Sequence, residues 1–304
     1  MTYIDLADRG KNDWWRYFLG VLVILFMWMG VGSIPFIVLM NRVESDQDDG
    51  TFFNPDLMRF EGVDPVIGFV VMMLAFIPFL FGVFLVVRYF HKRPFLTLVT
   101  PLSKMDWKQY FRGLWIIFAI LSFLSIVDSL FSPETYTLVF QWSEFLPFLL
   151  LALVLVPIQA STEELLFRGY VMQGIARLVK TRWVVVGLSS VLFMLPHLFN
   201  PEAASSPVLA AAAFIPVGIF LAIITLKSNS LELAMGAHTG FNLFNCFVGS
   251  SAVQVFSKIP TVFIKQEDSA INIESLFMAM ATFVLFYWVV FIKGRMDQSM
   301  LSVE

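Results

Sequence analysis

An all-α polytopic membrane protein, with about eight transmembrane helices around a central polar cavity, is the fold class that three observations predict. The 304 residues are 58% hydrophobic and 14% charged, against about 45–50% and about 25% in soluble domains, so the chain lacks the charge to cover a water-facing surface. Its mean hydropathy is +0.79. Its apolar residues also come in runs near the length, about 20 residues, that crosses about 30 Å of hydrocarbon as a helix, the form that satisfies its own backbone.

Taken in order, the first run, 17–40, is too long for the core of a signal peptide and is followed by no small-residue cleavage site, so it is expected to stay as an anchor. Trp14 and Trp15 stand ahead of it, where indoles rest at headgroup level. The second run is 65–87 and the third 113–131. Ahead of the third, Met105, Trp107 and Phe111 lie among the charges of Lys104 to Arg112, a pattern that suits an amphipathic helix on the cytoplasmic surface. The fourth run, 146–176, carries buried charge. The fifth, 183–198, opened by Trp183, and the seventh, 231–248, are short by the length rule, as half-buried helices around a central cavity are. The sixth, 208–226, and the eighth, 276–292, complete the set. No repeat or dividing linker is visible, so residues 1–304 read as a single integral-membrane domain.

Basic residues in short loops set orientation. With both termini cytoplasmic, only Arg42, Arg59, Lys258 and Lys265 fall outside, while Arg88, Lys92, Arg93, Lys104, Lys108 and Arg295 are among those inside. The run Glu44, Asp46, Asp48, Asp49 reads as solvated surface in the first external loop, and His91, within a basic loop, reads as a surface residue. The one cysteine, Cys246, forms no internal bridge, and a net charge of -3 argues against a nucleic-acid partner.

Ionisable groups within spans cost about 2.5–3.5 kcal/mol on insertion scales and are functional candidates by default. Away from span ends they are Asp128, Glu163, Glu164, Arg168, His197 and His238, with the amides Asn242 and Asn245 beside them. Glu164 and Arg168 are one turn apart and can offset each other's desolvation. Glu163 is turned away from that pair and must face a cavity, a water or another helix, as a general base would. His197 closes the fifth run, with Phe193 one turn earlier and Pro196 loosening the helix beside it. In the seventh, His238 and Asn242 share a face and offer two donors suited to an oxyanion, while Gly236 and Gly240 admit a neighbouring helix or a substrate backbone.

These three blocks, Glu163-Glu164-x-x-x-Arg168, Phe193-x-x-x-His197 and His238-x-x-x-Asn242, resemble the type II CAAX prenyl endopeptidases and bacteriocin-processing or immunity (ABI) proteins, the CPBP family of intramembrane proteases. The resemblance covers residues 146–248, which it marks as the catalytic core. It implies peptide-bond hydrolysis within the bilayer, acting on a membrane-embedded or lipid-anchored protein or peptide. Glu163 would activate water with His197 helping to hold it, His238 and Asn242 would stabilise the oxyanion, and Glu164, Arg168 and Phe193 would support them. Glu163, His197 and His238 also offer a three-ligand zinc site, since His and carboxylate are ordinary zinc ligands. Without a His-Glu-x-x-His motif, the metal-free reading is favoured.

Three other readings compete. Cys246 as nucleophile with His238 is disfavoured by the rise of about 12 Å between them along one helix, and an aspartyl protease is poorly supported because Asp128 has no obvious partner carboxylate within the spans. The alternative from a different class is a non-catalytic membrane protein of the same fold, acting in partner regulation, immunity or transport.

Overall fold

The computed structural model describes residues 2–46, 50–204, 206–251, 258–265 and 271–293. Asp48, Asp49 and Arg295 therefore lie outside the described residues, while Glu44 and Asp46 are exposed. Eight long helices appear among those residues: α1 (Trp14–Ser45), α2 (Pro65–Phe90), α3 (Trp107–Phe131), α4 (Trp142–Leu178), α5 (Arg182–His197), α6 (Pro207–Ser228), α7 (Glu232–Phe247) and α8 (Ile273–Lys293). All except α5 and α7 are long and apolar enough to cross a membrane. The two exceptions have 16 residues each; at 1.5 Å per residue they rise about 24 Å, less than the about 30 Å of hydrocarbon. The chain is an all-α, multi-pass integral membrane protein.

Helix starts follow local chemistry. Asp64 caps α2, its Oδ1 accepting from Val66 N at 2.8 Å ahead of Pro65. Ser206 and Asn272 cap α6 and α8 in the same way. Asp106 caps α3, accepting from Lys108 N at 3.0 Å. This cap revises the expected surface helix over Lys104 to Arg112. The cap starts α3 at Trp107, so Trp107 to Arg112 continue without a break into the third span.

At one end of the bundle, β1 (Phe52–Asn54) and β2 (Arg59–Glu61) form a hairpin between α1 and α2. At that same end β3 (Tyr136–Leu138), β4 (Gly249–Ser251) and β5 (Phe263–Lys265) make a small sheet with β5 central. Asp128 belongs here: it accepts from the Tyr136 hydroxyl and pairs with Lys265 at 3.1 Å, so it fastens the end of α3 to the sheet.

The tightest helix pair is α3 with α7. A Cβ at Gly236 would collide with the Tyr110 carbonyl oxygen, and one at Gly240 with the Leu114 carbonyl oxygen. Lipid is as apolar as a leucine, so helix association in a membrane relies on such close backbone approach. The glycines of the third motif block thus serve a helix contact rather than a substrate backbone. Across the same interface the Tyr110 hydroxyl meets Thr239 Oγ1 at 2.9 Å.

The opposite end is closed by the N-terminal segment. Tyr3–Arg9 winds into a 3-10 helix whose Tyr3 is buried. Tyr3 donates its hydroxyl to Leu98 O at 2.5 Å and its N–H to Asn229 Oδ1 at 2.7 Å. Gln173 links Thr97 O at 2.9 Å to the Arg93 guanidinium at 2.7 Å.

His91 belongs to this seal and is fully buried, which corrects its reading as a surface residue. Its backbone carbonyl accepts from Lys11 N at 2.7 Å, its Nδ1 donates to Lys11 O at 2.7 Å, and its Nε2 accepts from the Tyr170 hydroxyl at 3.0 Å. Burial, with the nearby Arg93 and Arg16 adding to it, pushes the imidazole down to about 4. The unfolded chain then binds a proton that the folded chain refuses between about 6.5 and about 4. Stability conferred by neutral His91 is present above pH about 6.5 and is lost as pH falls through that window. We expect the melting temperature of the protein in lipid to fall across it, and His91→Gln to flatten the fall.

Candidate functional site

α4 brings the first motif block to the centre of the bundle. Pro147 and Pro157 interrupt its hydrogen-bond ladder, and from Leu165 to Val171 the helix widens into a π-helix. Such segments release carbonyls for other partners. Phe167 O accepts from Ser189 Oγ at 3.0 Å, tying α4 to α5, and Arg168 O lies 3.3 Å from the Tyr3 hydroxyl.

Glu164 and Arg168 pair at 2.6 Å between Oε1 and Nη1, both side chains being 0% exposed. A buried pair needs further partners to offset its desolvation, and this one has them. Arg168 Nη2 donates to Gly218 O of α6 at 3.2 Å, and its guanidinium carbon lies 4.1 Å over the Phe193 ring. Glu164 Oε1 also accepts from His238 Nδ1 at 2.9 Å. That contact sets the histidine: with the proton on Nδ1, a neutral His238 turns a bare Nε2 toward Glu163.

Glu163 is 8% exposed and His238 7%. Glu163 Oε1 accepts from Gln159 Nε2 at 2.7 Å, while Oε2 stands 3.6 Å from His238 Nε2 and has no hydrogen-bond partner among the described residues. The carboxylate is thus pinned by one oxygen and unpartnered, though buried, at the other. Gln159 Oε1 in turn accepts from Asn242 Nδ2 at 2.8 Å. His197 donates from Nδ1 to Phe193 O at 2.8 Å, leaving Nε2 bare. Its ring lies 4.4 Å from that of Phe214 and 4.6 Å from that of Phe193. Phe193 also meets His238 at 6.0 Å, so one aromatic ring touches both histidines and the arginine.

All seven residues singled out by motif, Glu163, Glu164, Arg168, Phe193, His197, His238 and Asn242, therefore belong to one connected cluster. Gln159 joins it without having been singled out. It lies one turn before Glu163 on the same helix face, and that spacing is the signal that finds it. Cys246 is buried further along α7. As a zinc site the arrangement does not fit. Nε2 stays bare on both histidines, but among the described residues no group of three His, Cys, Asp or Glu gathers closely enough to hold a metal ion.

A family described as type II CAAX prenyl endopeptidase Rce1-like matches residues 142–244, the segment that carries the three blocks. The uncharacterized protein YyaK of Bacillus subtilis (strain 168) is 33% identical over 263 residues, covering 84% of this chain and 84% of that protein. No solved structure matches the chain.

Proposed function

Because the chain belongs to the type II CAAX prenyl endopeptidase Rce1-like family, a family of proteases, we propose that it hydrolyses a peptide bond of a membrane-associated protein or peptide, with Glu163 activating the water. The observation that carries this reading is the carboxylate held at Oε1 and left without a hydrogen-bond partner at Oε2 within a buried polar cluster. Oε2 takes a proton from a water held with the help of His197 Nε2, and the hydroxide adds to the scissile carbonyl carbon. The carbonyl electron pair moves to oxygen, and the second N–H of Asn242 donates a hydrogen bond to that oxyanion. The proton taken by Glu163 passes across the 3.6 Å gap to His238 Nε2, and the imidazolium so formed faces the oxyanion while Glu164 balances it at Nδ1. Collapse expels the amine, which leaves with that proton. Residues 146–248 act as the catalytic core of one domain, and both termini face the cytoplasm, the orientation that the excess of loop Lys and Arg supports.

The steps above use no metal, and among the described residues no group of three His, Cys, Asp or Glu gathers closely enough to hold one. The test is cleavage by protein purified in lipid, before and after chelation, with metal content measured on the same sample. Unchanged cleavage at substoichiometric zinc is expected. Near-stoichiometric zinc whose removal reversibly abolishes cleavage contradicts the glutamate-type reading.

A further inference from the structure

Gln159 stands outside all three motif blocks, yet it touches two residues given chemical roles. It is 9% exposed. Its Nε2 donates to Glu163 Oε1 at 2.7 Å and its Oε1 accepts from Asn242 Nδ2 at 2.8 Å. The direction of this chain follows from Glu163. An ionised carboxylate only accepts hydrogen bonds, so the amide atom facing it is nitrogen. The carbonyl oxygen of Gln159 must then face Asn242, which must present its own nitrogen. One N–H of Asn242 is thereby consumed, and the other keeps a fixed direction.

We infer that Gln159 is a positioning residue that couples the base to the oxyanion donor, holding Glu163 Oε1 so that Oε2 is the oxygen left for water, and holding the Asn242 amide so that its second N–H is left for the oxyanion. The inference deepens the glutamate-base reading and rests on it. A neutral amide suits the task because it donates at one end and accepts at the other without adding charge to a buried site. Neither Glu nor Met at this position keeps both contacts. Gln159→Glu preserves the size and the acceptor toward Asn242 but turns a carboxylate on Glu163, whereas Gln159→Met removes both hydrogen bonds.

The test uses full-length protein in cells. Its probe is the set of membrane peptides that wild-type cells trim and Glu163→Gln cells leave whole, with the cutting rate of each followed after a pulse. Both Gln159 variants are expected to slow cutting about tenfold to hundredfold, the scale of a misplaced catalytic group. Asn242→Ala is expected to cost less when added to Gln159→Met than when made in the wild-type background, because the amide has already been released. With each rate normalised to the amount of folded protein, a role confined to folding would not produce that coupling. Gln159→Glu, near isosteric, keeps the test open if Gln159→Met does not accumulate. Wild-type cutting by either folded Gln159 variant overturns the inference, and so do fully additive penalties. If Glu163→Gln stops cutting while both Gln159 variants cut normally, the glutamate reading stands and only this inference is lost. If Glu163→Gln cells cut as wild-type cells do, the glutamate reading itself fails.

Discussion

Glu163→Gln is expected to lower the rate of peptide cleavage by about 10²- to 10⁴-fold, the contribution of a positioned general base, while leaving the protein folded. The geometry explains why both halves of that result belong together. The new amide has nearly the size of the carboxylate, and its carbonyl oxygen can still accept from Gln159 Nε2, as Oε1 does at 2.7 Å. Its nitrogen then occupies the place of Oε2 and faces His238 Nε2, which is bare when His238 donates from Nδ1 to Glu164. The variant therefore gains a donor where a lone pair awaits it, and loses only the capacity to take a proton. Thermal melting in lipid should match wild type within a few degrees. A folded variant with wild-type turnover would remove Glu163 from the chemistry.

The second large effect is on stability. Arg168→Leu is expected to cost about 3–5 kcal/mol, because Glu164 is then left as a buried charge without its cation. Leucine also gives up the bond to Gly218 O at 3.2 Å and the contact with the Phe193 ring at 4.1 Å, which together join α4 to α6 and α5. The measured outcome should be a much lower melting temperature and poor accumulation in the membrane. Replacing both members of the pair, as Glu164→Gln with Arg168→Leu, should recover a large part of the loss, since no uncompensated charge remains. Glutamine at 164 still accepts from His238 Nδ1 through its carbonyl oxygen. If the double variant is no more stable than Arg168→Leu alone, the loss comes from packing of the arginine stem instead.

What could be read from the sequence follows from how costly each residue is where it sits. Charges inside apolar runs stand out because a bilayer penalises them, and so Glu163, Glu164, Arg168, His197 and His238 were visible, along with their grouping into three blocks. The short α5 and α7 were visible too, because helix length is set by bilayer thickness. Gln159 was not, since a neutral amide barely interrupts an apolar run, and its role depends on Asn242, 83 positions away in sequence. His91 was misread for a related reason. Its neighbours Lys92 and Arg93 point to a surface loop, but the residues that bury it, Lys11 and Tyr170, come from distant parts of the chain. The sheet of β3, β4 and β5 also escaped notice, because its strands have three residues each and β3 pairs with β5 across more than a hundred positions, which leaves no local pattern. Gly236 and Gly240 were recognised as sites of close approach, while the partner, α3, became identifiable only from the packing.

The central claim is that this membrane protein cuts peptides through Glu163. The most direct measurement compares peptide N-termini and C-termini across the membrane proteomes of cells making wild-type protein and cells making Glu163→Gln at equal level. The account predicts a small set of membrane proteins or peptides that accumulate uncut only in the Glu163→Gln cells. Identical termini in the two proteomes, together with a phenotype on full deletion, would contradict it and assign the polar cluster to binding rather than hydrolysis.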